Sequence, residues 1–349
     1  MTTISGWLKR SARTKARLAA LMLTAAVVLS ACSSGGDKGA AATTPNEAKS
    51  AVSGDSKVVR IGYQKGNTLN ILKEHGNLEK RLKEKNITVE WKVFAGGNFL
   101  LEALTAGSID FGHAADGSGV FAQAGGKPFV YVGSDLPNPE GMGIVVHAGS
   151  PVKTVADLKG KKIAVAKGGN HHYLAVLALE KAGLKLDDVK FVFVKDASEG
   201  RALFETKQVD ALGSWDPFFA SVENDLSPVT LTDGTGYSPN RTFYYANETF
   251  AKGNAELIQT ILEEIDVSDK WANTNKPEVV KQLTEALGID QKAIERAVNR
   301  RTYGVENLSP EIIEPQQKLA DTFHRIGLIG DKIHVAPLMP TQQAWAIGK

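Results

Sequence analysis

An α/β fold of two lobes, each an open sheet covered by helices, with a ligand cleft between them, is predicted by three observations. The chain has 349 residues, enough for two lobes with cores of their own. Short β-rich runs alternate with helical runs, which argues for open sheets covered by helices. The same plan also occurs twice. Val58–Gly66 (VVRIGYQKG) and Lys161–Gly169 (KKIAVAKGG) each end a strand in Lys-Gly before a helical segment, and Glu102–Gly112 and Arg201–Gly213 each enter a strand through Ile-Asp or Val-Asp. Lys65 to Asp110 is 45 residues and Lys167 to Asp210 is 43, so order and spacing are both kept.

The first segment stands apart from that plan. Lys9, Arg10, Arg13, Lys15 and Arg17 precede Leu18–Ala31, an uncharged run of 14 residues. A basic region followed by an apolar run too short to span a bilayer reads as a secretory signal over residues 1–31. Cys32 is the only cysteine and follows Leu29-Ser30-Ala31 directly. Leu-Ser-Ala-Cys resembles the bacterial lipobox, which implies lipidation of Cys32. Residues 32–56, rich in Ser, Gly, Ala, Thr, Asp and Lys, read as a flexible tether holding the folded part to a membrane from outside the cytoplasm. Without residues 1–31 the chain carries 36 Lys+Arg against 39 Asp+Glu, a net −3, and has no electrostatic reason to hold nucleic acid.

Residues 57–142 are expected to begin lobe 1. Asn67–Lys85 is amphipathic, with Leu69, Leu72, Leu78 and Leu82 on one face. Thr88–Ala95 follows as a strand and Gly97–Gly107 as a helix. Residues 143–242 are expected to form lobe 2, where His171–Leu184, Val189–Val194 and Ser198–Gln208 repeat helix, strand and helix. Residues 243–349 are expected to return to lobe 1 and, from about Phe250, to be mostly helical, with Pro or Asp near the helix starts. Gly141–Gly149 and Asn240–Phe250 are the expected connectors.

RIGYQKG, LLEALTAGSIDFG, FAQAGGKPFVYVG, SPVKTVADLKGKKIAVAKG, LEKAGLKLDDV and WDPFFA together resemble the aliphatic-sulfonate-binding proteins of bacterial ABC importers, over roughly Val58–Pro340. TVADLKGKKIAV and GSIDFG are general to a wider family that includes binders of taurine, nitrate and thiamine-pyrimidine precursors. GYQKG with WDPFF is more specific to the sulfonate branch. The resemblance implies the two-lobed type II periplasmic-binding architecture, no catalysis and no cofactor, and a monomer that hands a small anionic ligand to a permease and its ATPase subunits. Taurine, nitrate, a sulfate ester or a pyrimidine precursor is the alternative ligand. A pyrimidine-precursor enzyme on the same fold is the alternative class, disfavoured because the mature chain lacks any cysteine beyond Cys32.

Ligands of open α/β sheets sit beyond the carboxyl ends of the strands. Gly168, Gly169 and Asn170 follow one such strand and open a helix, whose unpaired N–H groups and dipole suit a sulfonate. An ordinary turn is the plainer reading. The sulfonate branch has a Ser-rich loop here, so Gly169-Asn170 is a departure. His171 and His172 are neighbours and point about 100° apart in a helix, which argues against a shared metal; His171 remains a candidate ligand contact. Gln64 ends the first strand at the position of Ala166 and offers an uncharged donor. Gly117 and Ser118 are candidate anion donors, with Asp116 as helix cap or contact. Trp215 is a candidate wall for an alkyl tail, Asp216 a helix cap or amine partner, and Phe243 and Tyr244 further walls.

Overall fold

The computed structural model describes residues 57–348; the signal, Cys32 and the whole of the tether lie outside the described residues. The strands are β1 (Lys57–Gln64), β2 (Ile87–Phe94), β3 (Phe111–Ala115), β4 (Phe129–Asp135), β5 (Met142–Val146), β6 (Lys162–Ala166), β7 (Lys190–Val194), β8 (Ala211–Trp215), β9 (Val229–Asp233), β10 (Thr242–Asn247) and β11 (Val305–Glu306). They make two open sheets, ordered β2-β1-β3-β10-β4-β11 and β7-β6-β8-β5-β9. In each, the first three strands are parallel, and the next strand runs antiparallel to both of its neighbours. That antiparallel strand, β5 or β10, is the first one the chain makes on arriving from the other sheet.

This arrangement corrects the expected connectors. Gly141–Gly149 contains β5 and Asn240–Phe250 contains β10, so the crossings are the shorter segments 136–141 and 234–241. A strand covered on both faces reads as a continuous apolar run; Gly-Ile-Val-Val and Phe-Tyr-Tyr-Ala are such runs. The expected helix Asn67–Lys85 is also two helices, Thr68–His75 and Asn77–Lys83, divided at Gly76 in the left-handed region (φ 64°). Its four leucines are nonetheless fully buried.

The repeat has a physical basis. The Asp110 carboxylate accepts the Arg60 backbone N–H at 2.8 Å, and Asp210 accepts that of Lys162 at 2.8 Å. Each Ile-Asp or Val-Asp marker thus anchors the start of its strand onto the neighbouring first strand. Gly66 and Gly168 each lie two residues past that first strand with φ of 81° and 74°, a region glycine enters without strain.

The C-terminal helices cover the first sheet. Ile258, Ile261, Leu262 and Ile265 pack with Val59, Ile61 and Phe111 on one face, while Leu319 and Phe323 join Leu100 and Tyr131 in the cluster on the other. The helix Asp116–Ala124 lies against that second cluster through Gly119. A Cβ on Gly119 would stand 2.6 Å from the Tyr131 hydroxyl. Gly119→Ala is therefore expected to lower the unfolding free energy by about 1–3 kcal/mol, although alanine is the better helix former. Urea unfolding checks this; an unchanged midpoint would mean the helix shifts freely.

Candidate functional site

The facing ends of the two sheets enclose a cavity of ≈ 90 Å³. Three helices begin at its wall without a side-chain cap: Gly97–Thr105 and Asp116–Ala124 from the first lobe, and Asn170–Lys181 from the second. Gly97 and Ser118 are adjacent, since a Cβ on Gly97 would meet Ser118 Oγ at 2.8 Å. The leading amides of an α-helix have no carbonyl one turn back, so both lobes present N–H donors and positive dipole ends to one space; in Asp116–Ala124 the first two are taken, by the Arg241 carbonyl at 3.1 Å and Asp116 Oδ1 at 2.7 Å.

Gln64, Ser118, Gly169, Asn170, His171, Trp215 and Asp216 all line this cavity. Several of them act differently from the sequence reading. One Gln64 Nε2 proton goes to the His113 carbonyl at 3.0 Å, which leaves the other. The adjacent Lys65 ammonium donates to the Leu287 carbonyl at 3.1 Å. One Asn170 Nδ2 proton goes to Asn240 and Oδ1 faces His171 Nδ1 at 3.1 Å, which leaves the second amide proton. The Gly169 N–H donates to the Ala166 carbonyl at 3.1 Å. The backbone donors toward the cavity are therefore those of Asn170 and His171, the first two residues of their uncapped helix.

The His171 ring nitrogens are engaged within the protein. Nε2 accepts the Ala166 N–H at 2.8 Å and Nδ1 faces Asn170 Oδ1 at 3.1 Å, so both nitrogens have protein partners. Burial pushes it down to about 3, with His172 adding to the shift. The ring instead stacks on Trp215, with centroids 4.7 Å apart at 19°, and holds that indole at the cavity wall. Asp216 Oδ1 accepts the Ala220 N–H at 3.1 Å, and Oδ2 lies 3.2 Å from Arg300 Nε but has no hydrogen-bond partner among the described residues. Among the described residues no group of three His, Cys, Asp or Glu side chains could hold a metal ion.

Gly117, Gly168, Phe243, Tyr244 and Asp116 lie elsewhere. Gly117 faces the Gly168 carbonyl. The Gly168 N–H donates to His172 Nδ1 at 3.2 Å. Phe243, 1% exposed, lies in the aromatic core with Phe129, Tyr131 and Tyr245. The reason for the last is that β10 is a central strand, which sends Phe243 and Tyr244 into cores on opposite faces; Thr242, one residue earlier, reaches the cavity. Asp116 borders a separate cavity with Ser238 and Gln316.

The sequence reading missed Arg301, Asn98, Asn138 and Asn240, all at the cavity wall. One signal was available: Gly96-Gly97-Asn98 and Gly168-Gly169-Asn170 are the same tripeptide, and each leads into an uncapped helix. Asn240 and Asn138 lie in the two crossings, and Asn240 Nδ2 donates to the Asn138 carbonyl at 2.6 Å. Asn170, bonded to Asn240, therefore ties the cavity directly to both crossings.

The family model described as "NMT1/THI5 like" matches residues 82–279. The chain belongs to this family. A protein of Escherichia coli strain K12, provisionally named an aliphatic sulfonates-binding protein, is 36% identical over 290 residues, 82% of this chain and 90% of that one. The alkanesulfonate-binding protein of Xanthomonas axonopodis pv. citri, solved bound to MOPS, superposes with a TM-score of 0.77 at 34% identity, over 80% of this chain and 97% of that one. The periplasmic aliphatic sulphonate binding protein of Escherichia coli gives 0.76 at 34%, over 84% and 94%. The NMT1/THI5-like chain thus has the two-lobed type II periplasmic-binding fold.

Arg301 brings a guanidinium to the wall of this cavity from the C-terminal part of the NMT1/THI5-like chain, beside Lys65 and Lys195. It pairs with the buried Asp135, which also accepts from the Tyr244 hydroxyl. Burial opposes the guanidinium charge, but Asp135, Tyr303 and Asp269 outweigh it and raise its pKa. Its Nε has no hydrogen-bond partner among the described residues.

Proposed function

We propose that the chain is the extracytoplasmic substrate-binding component of an ABC importer, a binder and not an enzyme, and that it holds an aliphatic sulfonate in the interlobe cavity. The observation that carries this reading is the convergence of three uncapped helix starts from both lobes, with Arg301, on a space walled by the Trp215–His171 stack. A sulfonate spreads one negative charge over three oxygens, which suits several weakly directional N–H donors and one guanidinium. The alkyl tail then lies on the indole. Gln64 and Ser118 complete the donor set.

Supporting the compartment are the basic and apolar N-terminal segment and the placement of Cys32. No helix among the described residues is long and apolar enough to cross a membrane, and in this reading a lipid on Cys32 holds the monomeric protein near its permease. A thermal-shift and calorimetric panel of alkanesulfonates, taurine, sulfate, nitrate and pyrimidines tests the ligand. Alkanesulfonates are expected to give the largest shifts, and a response to nitrate or a pyrimidine with none to any sulfonate would sink the reading. Trp215→Ala should weaken hexanesulfonate by about 1–3 kcal/mol, roughly 5–150-fold, and methanesulfonate far less. Equal losses for both ligands would show that the indole does not carry the tail.

A further inference from the structure

Two places where the lobes touch are related by the internal repeat. A Cβ on Gly117 would stand 2.5 Å from the Gly168 carbonyl oxygen and 3.1 Å from the Gly169 carbonyl carbon. A Cβ on Gly66 would stand 2.6 Å from Pro217 Cγ. Gly66 and Gly168 are equivalent, each two residues past the first strand of its lobe. Gly117 and Pro217 are equivalent too, each following the aspartate just past β3 or β8, Asp116 or Asp216. The first-strand loop of each lobe therefore meets the third-strand exit of the other. The cavity lies between the two meetings, because Lys65 and Asp216 beside one contact, and Ser118 and Gly169 beside the other, all line it.

We infer that these two contacts, Gly117 on Gly168 and Gly66 on Pro217, are the stops that set how far the lobes close over the cavity. Both are made by backbone or by a proline ring. Neither has a long side chain that can bend away, so the approach distance is fixed by covalent geometry. Phe121, one turn beyond Gly117, extends the first contact by covering Gly168. The helix starts at Asp116 and Asn170, one from each lobe, are held at the first of these contacts. A wedge of one methyl group at either stop thus moves donors from one lobe away from donors of the other.

Gly117 allows a clean test. It lies in the first turn of its helix at an ordinary φ, and the atoms nearest an added Cβ all belong to the other lobe. Its own lobe should therefore tolerate alanine or leucine. The ligand arm of the test rests on the sulfonate reading above; the shape arm does not.

For Gly117→Ala and Gly117→Leu, urea midpoints are expected at or above that of the parent, since a side chain here replaces helical glycine. Hexanesulfonate affinity is expected to fall by about tenfold or more. Small-angle scattering is expected to give larger radii of gyration, increasing from Gly to Ala to Leu, both with and without ligand. Affinity within twofold together with unchanged radii would overturn the inference, and so would a midpoint that falls while the radius stays the same. If the parent binds no sulfonate, the ligand reading fails, and equal radii of the ligand-free proteins would then overturn the stops independently.

Discussion

Arg301→Met is expected to lower the unfolding free energy by about 3–5 kcal/mol at neutral pH and to abolish stabilisation by any alkanesulfonate. The reason lies in what the guanidinium leaves behind. Asp135 is buried and paired with Arg301. Burial raises the Asp135 carboxyl, and the Arg301 charge is the first force pulling it back. Asp269 is pushed well above the usual carboxylate range by burial and then by the Asp135 charge. Without Arg301, keeping Asp135 charged becomes costly and its folded-state pKa rises further. A carboxyl raised in the folded state contributes stability that is fully present below its unfolded pKa and is lost as pH rises through the folded value. The defect should therefore be small near pH 4 and grow toward pH 8. Urea titrations at both pH values read it, and an equal defect at both would mean that lost packing, not the stranded carboxylate, is responsible. Arg301→Lys keeps the charge but not the forked donor geometry, so it should recover stability more than binding.

The architecture was legible because it rests on patterns that repeat locally. The Lys-Gly turns and the Ile-Asp and Val-Asp entries recur at nearly equal spacing, and the structure shows why: Asp110 and Asp210 anchor equivalent strands, and Gly66 and Gly168 take the same left-handed turn. The connectors were misplaced because β5 and β10 follow glycine- and asparagine-rich segments that look like loop, while their central, twice-covered positions are a property of the sheet. Gly169, Asn170 and His171 of the predicted loop line the cavity and Gly168 does not. Whether a glycine serves a ligand or a neighbouring backbone depends on the opposite lobe, and Gly117 and Gly168 serve the backbone. Arg301 carries no local signature at all. It comes from a stretch between C-terminal helices, 237 residues after Gln64, and only tertiary folding brings it to the cavity.

His171→Gln is expected to gain stability relative to the parent as pH falls below about 6.5. His113 and His171 have corresponding duties in the two lobes. His113 Nε2 accepts the Gln64 N–H at 3.0 Å, and His171 Nε2 accepts the Ala166 N–H at 2.8 Å. The two rings reach these equivalent strand ends from different elements: His113 lies on β3, while Gly213 on β8 leaves room for the His171 ring, 3.5 Å from an added Cβ. Protonating either ring at Nε2 places two donors face to face in a buried site. Burial accordingly pushes each down to about 3. A group depressed in this way contributes stability that is present above its unfolded value, about 6.5, and is lost as pH falls toward the folded one. Asp116 and Asp216 act in the opposite sense over part of the same window, because burial raises each to about 7. The readout is therefore the difference between parent and variant. His171→Gln offers a carboxamide acceptor without a titrating ring, and its unfolding free energy should fall less steeply between pH 6 and pH 4, by up to about one proton per molecule. Parallel pH profiles would mean that the Ala166 N–H bond to His171 is not maintained in solution. The same variant should weaken binding of long-tailed sulfonates, since Trp215 loses the ring on which it stacks.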